Sequence, residues 1–132
     1  MRRALLDTDI FSEIAKGKNE TVRRRALAYT STIGPLAIST VTVVESSRGY
    51  ARSGASRSSI DSSLAFRSSK FFPLDTVAAE HAGRIYGDLE RLGQPIGRAD
   101  PMIAGVALAR GLVLVTGNRE HYERIIRAGH HR

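Results

Sequence analysis

The stretch Asp100-Pro101-Met102-Ile103-Ala104-Gly105-Val106-Ala107-Leu108-Ala109-Arg110-Gly111-Leu112-Val113-Leu114-Val115-Thr116 decides the fold class. Its first half has the marks of a helix. Proline suits the first helical position, Asp100 stands where an N-cap belongs, and Gly111 follows the last turn. Its second half, Leu112 to Thr116, is almost wholly apolar and shows no alternation. A strand of that kind is expected to be buried on both faces, as in a parallel sheet. Parallel strands need a crossover, and the helix just before this strand can supply one.

Working outward, the same alternation recurs. Ala4-Leu5-Leu6 reads as a first buried strand ending at Asp7. A helical stretch from Ile10 to Ala15 is closed by Gly17. Thr21 to Ile33 places Val22, Ala26, Tyr29 and Ile33 on one helical face and Arg23, Arg24 and Arg25 on the other, and Gly34-Pro35 breaks it. Leu36 to Ser39 reads as a second strand, and Val41 to Tyr50 as a helix carrying Glu45. Ser53 to Ser63 is serine-rich and reads as a loop leading into a weak helix. Phe71-Phe72-Pro73-Leu74 is a third strand whose proline suits an edge or an end. Val77 to Leu92 is a helix with Val77, His81, Ile85, Leu89 and Leu92 on one face. The basic tail from Ile125 to Arg132 is expected to fray. Helices alternating with short apolar strands imply an α/β fold, and residues 1–132 fit a single domain.

Composition narrows the function. Twenty Lys+Arg face thirteen Asp+Glu for a net charge of +7, and seventeen of the twenty are arginine. Guanidinium groups match phosphate geometry, so a polyanion such as nucleic acid is the expected partner, with an acidic protein as the alternative. The chain has no cysteine, which excludes disulfides, thiolate metal sites and cysteine nucleophiles. No apolar run approaches the roughly 18–20 residues of a membrane span. A cytoplasmic protein is the simplest expectation.

In open parallel sheets, sites form beyond the carboxyl ends of the strands. Asp7 ends the first strand, with Asp9 two residues on. Glu45 follows the second strand, Asp100 begins the helix before the last strand, and Thr116 and Asn118 follow that strand. Carboxylates gathered at one rim resist ionising together, and a bound divalent cation relieves that strain. Hard oxygen donors suit Mg²⁺ or Mn²⁺, which can activate water and neutralise charge on a phosphodiester. Each residue also has a plainer role. Asp100 could simply cap its helix, and Glu45 could close a capping box with Thr42. Asp7 and Asp9 could be turn residues. His81, on an apolar face, reads as a packed side chain. A receiver-type signalling domain would also use strand-end carboxylates, but Lys16, Lys18 and Lys70 do not follow a late strand as such a domain requires.

Four segments in register resemble the motifs of bacterial PIN-domain proteins, in particular VapC-type toxins of toxin–antitoxin pairs. They are Leu5-Leu6-Asp7-Thr8-Asp9-Ile10, Ile38-Ser39 through Glu45 with Gly49, Ile96-Gly97 with Asp100-Pro101-Met102-Ile103-Ala104, and Leu114-Val115-Thr116-Gly117-Asn118 with Tyr122. The resemblance implies a PIN-like three-layer α/β fold with a short, mostly parallel sheet of about four to five strands flanked by helices. It implies a Mg²⁺-dependent endoribonuclease, with Mn²⁺ as a substitute, neutralised by a VapB-type antitoxin and prone to form a homodimer. By position, Asp7, Glu45 and Asp100 match the metal-binding carboxylates, Asn118 the fourth site and Thr116 the motif hydroxyl. Asp9 stands where asparagine is usual, so it is a further metal-ligand candidate, and Glu120 could replace Asn118 in the shell. The alternatives are a non-toxin PIN nuclease acting in RNA processing or on DNA, and an inactive PIN binding module.

Overall fold

The computed structural model describes residues 3–54 and 64–130. Most of the serine-rich segment read as a loop lies outside the described residues, as do the last two residues of the tail. In chain order the elements are β1 (Ala4–Leu6), α1 (Thr8–Lys16), α2 (Glu20–Thr32), β2 (Ala37–Ser39), α3 (Thr40–Ser53), α4 (Leu64–Arg67), β3 (Lys70–Phe72), α5 (Thr76–Arg91), α6 (Ala99–Arg110), β4 (Val113–Val115) and α7 (Arg119–Arg127).

All strand pairing among the described residues is parallel. β1 pairs with β4, Leu5 opposite Leu114, and β2 pairs with β3, Ile38 opposite Phe71. The expected single sheet is split among the described residues into two hydrogen-bonded pairs, β1-β4 and β2-β3, and because β1 lies next to β2 the spatial order is β3-β2-β1-β4. Successive side chains of a strand point to opposite faces, and that rule builds the layers. Leu5 packs with Ile103, Val106 and Ala107 of α6, whereas Leu6 packs with Phe11 of α1 and Ile38. The result is helix, sheet, helix, with β1 and β2 fully buried in the middle.

The deciding strand behaves differently from its expectation. β4 is an edge strand, and Val113 and Val115 are 37% and 38% exposed. An apolar run reports burial tendency, but it carries no information on whether a neighbour exists on the second side. Only β1 flanks β4 among the described residues, so one face and one edge meet solvent.

The buried stripe of α5 is also shifted from the expected one. Ala78, Ala82, Ile85 and Leu89 are inside, while Val77 is 54% and Leu92 49% exposed. The reason is the close approach of α6, whose Gly105 lies against Ala78 and Ala82. Small residues, not the largest apolar ones, define that face. His81 is half-buried beside them, consistent with a packed histidine. On α2 the expected stripe of Val22, Ala26, Tyr29 and Ile33 does face inward, and the Tyr29 hydroxyl accepts the Ala4 N–H.

The tail does not fray as expected through His130. Ile125 is 3% exposed in the cluster with Ile85 and Leu89, and the His130 imidazole meets Asp88 at 2.8 Å. Apolar contacts spaced along α7 outweigh the basic composition of the segment. No helix among the described residues is long and apolar enough to cross a membrane.

Candidate functional site

Asp7 sits where β1 ends and α1 begins. Its backbone N–H continues the sheet by donating to the Val115 carbonyl at 2.9 Å, and its extended backbone makes it the N-cap of α1. The side chain is 3% exposed. One oxygen accepts the Thr8 N–H at 2.8 Å, and the other accepts the Thr116 hydroxyl at 2.6 Å. Thr116 in turn accepts the Asn118 N–H at 2.9 Å, which fixes the loop leaving β4. Burial pushes the Asp7 pKa above the ordinary carboxylate value, the hydrogen bonds from Thr116 and Thr8 oppose this, and Asp9 and Asp100 push it further up. A capping aspartate alone would not lie in reach of two other carboxylates.

Asp100 is not the N-cap that the sequence suggests. The cap position of α6 is Arg98, in helical conformation and without a side-chain cap bond, and Asp100 lies inside the first turn, 9% exposed. The Tyr86 hydroxyl donates to the Arg98 carbonyl and ties the start of α6 to α5. With Arg98 at the cap position, the Asp100 carboxylate is free of capping. Its Oδ2 meets His121 Nδ1 at 2.6 Å, and its Oδ1 faces the Tyr122 hydroxyl at 3.5 Å.

Glu45 is likewise free of the expected capping box. The cap of α3 is Ser39, whose hydroxyl accepts the Thr42 N–H at 3.3 Å, so Glu45 is a full turn too late to reach back. Instead its Oε1 accepts a short hydrogen bond from the Thr8 hydroxyl, which also meets the Thr42 hydroxyl at 3.0 Å. Thr8 therefore links Glu45 to the residue beside Asp7.

Asp9 is spoken for by backbone. Its oxygens accept the Ile10 N–H at 2.8 Å and the Gly117 N–H at 3.0 Å. A Cβ at Gly117 would lie 2.5 Å from Asp9 Oδ2, so a larger residue there would require the Asp9 carboxylate to shift. Asn118 is exposed and its side chain makes no cap bond to α7. Glu120 is exposed and paired with Arg124 at 3.1 Å, which leaves little reason to place it in a metal shell.

The structure thus brings Asp7, Asp9, Asp100 and Thr116 to one rim, and attaches Glu45 through Thr8. Thr8, His121 and Tyr122 hold these carboxylates and were missed as site residues in the sequence. The i, i+1 pair His121-Tyr122 on a helix following Thr116 was the available signal for two of them. Among the described residues, no three carboxylate or imidazole groups form a ready-made cation shell. The carboxylate oxygens are held by hydroxyls, backbone N–H groups and an imidazole. The donor chemistry is nonetheless that of a hard divalent cation, since the chain offers oxygens and has no thiolate. A buried aspartate pressed by two other acids is also a position that a cation stabilises.

Comparison with known proteins agrees with this geometry. The PIN domain model matches residues 4–126. The chain is 38% identical to the tRNA(fMet)-specific endonuclease VapC of Salmonella typhimurium over 126 residues, covering 95% of this chain and 93% of the relative. It is 36% identical to the protein of the same name from Shigella flexneri, with the same coverage of both chains. It also superimposes on a chain of the DNA-bound VapBC crystal structure from Salmonella typhimurium with a TM-score of 0.71 and 34% identity, covering 95% of this chain and 93% of that one. The chain belongs to the PIN domain family, and within it to the VapC-type endoribonucleases.

Proposed function

We propose that this chain is a Mg²⁺-dependent endoribonuclease, the toxin of a pair with a VapB-type antitoxin, and that Asp7, Glu45 and Asp100 hold the cation with Asp9 or Asn118 completing the shell. Nucleases of this family depend on divalent metal in general. The observation that carries the assignment is the burial of Asp7 within electrostatic reach of Asp9 and Asp100. Held by these residues, a hard cation would supply charge neutralisation at a phosphodiester and a lowered pKa for water.

The protein's own part is placement. Thr116 fixes Asp7, Thr8 fixes Glu45 and His121 fixes Asp100. Arg98 precedes Asp100, Arg119 opens α7 and Arg48 lies one turn beyond Glu45. These are the cations offered to RNA phosphates. Two relatives carry tRNA(fMet) in their names, so tRNA in the cytoplasm is the first substrate to test. Cleavage of tRNA with Mg²⁺, and none with EDTA, is expected. Expression should arrest growth, and the antitoxin encoded alongside should relieve it. Cleavage without growth arrest would point to the non-toxin nuclease.

His121 gives a sharper check. Replacing it with alanine is expected to lower kcat by about tenfold to a hundredfold, the usual effect of removing a group that orients a ligand. Asparagine, which can still donate to Asp100, should restore much of the loss. Equal loss in both variants would remove His121 from the mechanism.

The antitoxin has a candidate seat. A groove of about 340 Å³ runs between α1 and α3, lined by Phe11, Ala15, Ser46, Gly49, Tyr50 and Phe66. Its apolar floor suits an amphipathic helix. Gly49 has open space where a Cβ would stand. Gly49→Arg should therefore fold, retain cleavage and weaken antitoxin binding by at least about tenfold. Unchanged affinity by titration calorimetry would place the antitoxin elsewhere. A homodimer is expected from the resemblance, and sedimentation of the purified chain tests it.

A further inference from the structure

Tyr122 stands on the first turn of α7 and is 7% exposed. Its ring belongs to the cluster of Ile85, Leu89, Ala104 and Ile125. Its hydroxyl lies 3.5 Å from Asp100 Oδ1 and also faces the carboxyl group of Asp7. A neutral O–H from one helix therefore stands between an acid at the end of β1 and an acid at the start of α6.

A phenol has one proton to donate. A phenol ordinarily titrates at about pH 10, so this one is a donor throughout the physiological range. In the metal-free protein that donor offsets part of the repulsion between the two carboxylates. A cation drawn to both carboxylates does the same work more strongly and competes for the same oxygen lone pairs. We propose that the Tyr122 hydroxyl is a built-in placeholder for the cation, holding Asp7 and Asp100 in register without metal and raising the metal concentration at which the site fills. The proposal rests on the metal-site reading given above.

The two-sided prediction follows from linkage, because a group that stabilises only the empty state weakens binding. Tyr122→Phe keeps the ring and deletes the donor. In EDTA its Tm should fall below that of the parent chain by about 3–6 °C. With saturating Mn²⁺ the gap should close, so the variant shows the larger metal-induced rise. Titration calorimetry with Mn²⁺ alone should show binding about threefold to tenfold tighter than in the parent. An equal Tm loss with and without Mn²⁺, together with an unchanged Kd, would reduce Tyr122 to packing and overturn the proposal. Weaker binding in the variant would also overturn it, since the hydroxyl would then be supporting the bound state. If the parent chain itself shows neither heat nor a Tm shift with Mn²⁺ or Mg²⁺, the metal-site reading falls and takes this proposal with it.

Discussion

Asp7→Asn should lower RNA cleavage by about two to three orders of magnitude, the range seen when a group stabilising the transition-state charge is removed, while leaving the metal-free protein at least as stable. The two halves of that expectation have one cause. Asp7 is buried beside Asp9 and Asp100, and its folded pKa is raised mainly by burial and further by those neighbours. A carboxyl whose pKa is higher in the folded state than in the unfolded state loses stability as pH rises from the unfolded value through the folded one. Wherever it is ionised, the side chain is therefore a burden on the empty site. Asparagine removes the charge and keeps an oxygen that can still accept the Thr8 N–H, so the cap of α1 survives. The variant should melt at or above the parent in EDTA, and it should gain little from Mg²⁺ where the parent gains several degrees. Asp100→Ala should lose cleavage to a similar extent. Undiminished cleavage by either variant would end the assignment of these carboxylates to the reaction. A clear fall in the metal-free Tm of Asp7→Asn would show that Asp7 serves the fold first.

How much of this was legible beforehand differs from residue to residue. Asp7 was readable as a carboxylate beyond a strand end, where sites form in parallel sheets, although a turn role was open to it as well. Thr116 came from the resemblance, and its hydrogen bond to Asp7 spans 109 residues of sequence. Asp100 and Glu45 were ambiguous, since Asp-Pro and Thr-x-x-Glu are also helix-start signals. Only the observed caps, Arg98 and Ser39, remove that ambiguity, and neither is the residue those signals point to. Thr8 was invisible as a site residue because its hydroxyl advertises no chemistry until its partner is known, and Tyr122 was quoted only as part of a motif. The layer order followed from the alternation of helices and apolar strands. The edge position of β4 did not, because local hydropathy cannot count neighbours. The shifted face of α5 failed for a related reason. Sequence periodicity ranks residues by apolarity, whereas the packing there is decided by how closely two backbones can approach.

That close approach supports a stability prediction of comparable weight. A Cβ placed on Gly105 of α6 would lie 2.4 Å from the Ala78 carbonyl oxygen, 3.1 Å from the Ala82 nitrogen and 3.3 Å from the Ala82 Cβ. The first two are backbone atoms of α5, so no side-chain rotation relieves the clash and the helices must separate. The same α6 presents Ile103, Val106 and Ala107 to Leu5 of β1 and carries Asp100 in its first turn, so separation disturbs both the core and the site. Overpacking of this kind costs about 1–3 kcal/mol, occasionally more. The gain in helix propensity from glycine to alanine, about 1 kcal/mol, runs the other way. With backbone as the obstacle the first effect should win, leaving Gly105→Ala less stable by about 2 kcal/mol and its Tm lower by roughly 6–12 °C. Gly49→Ala on α3 is the matched control, since nothing lies within 4 Å of the added Cβ and only the propensity gain applies. It should be neutral or slightly stabilised. Cleavage by Gly105→Ala, measured well below its Tm, should also need more metal than the parent, because Asp100 moves with α6. If the two alanine variants melt alike, the α5–α6 contact has more slack than these distances allow, and the placement of Asp100 does not depend on it.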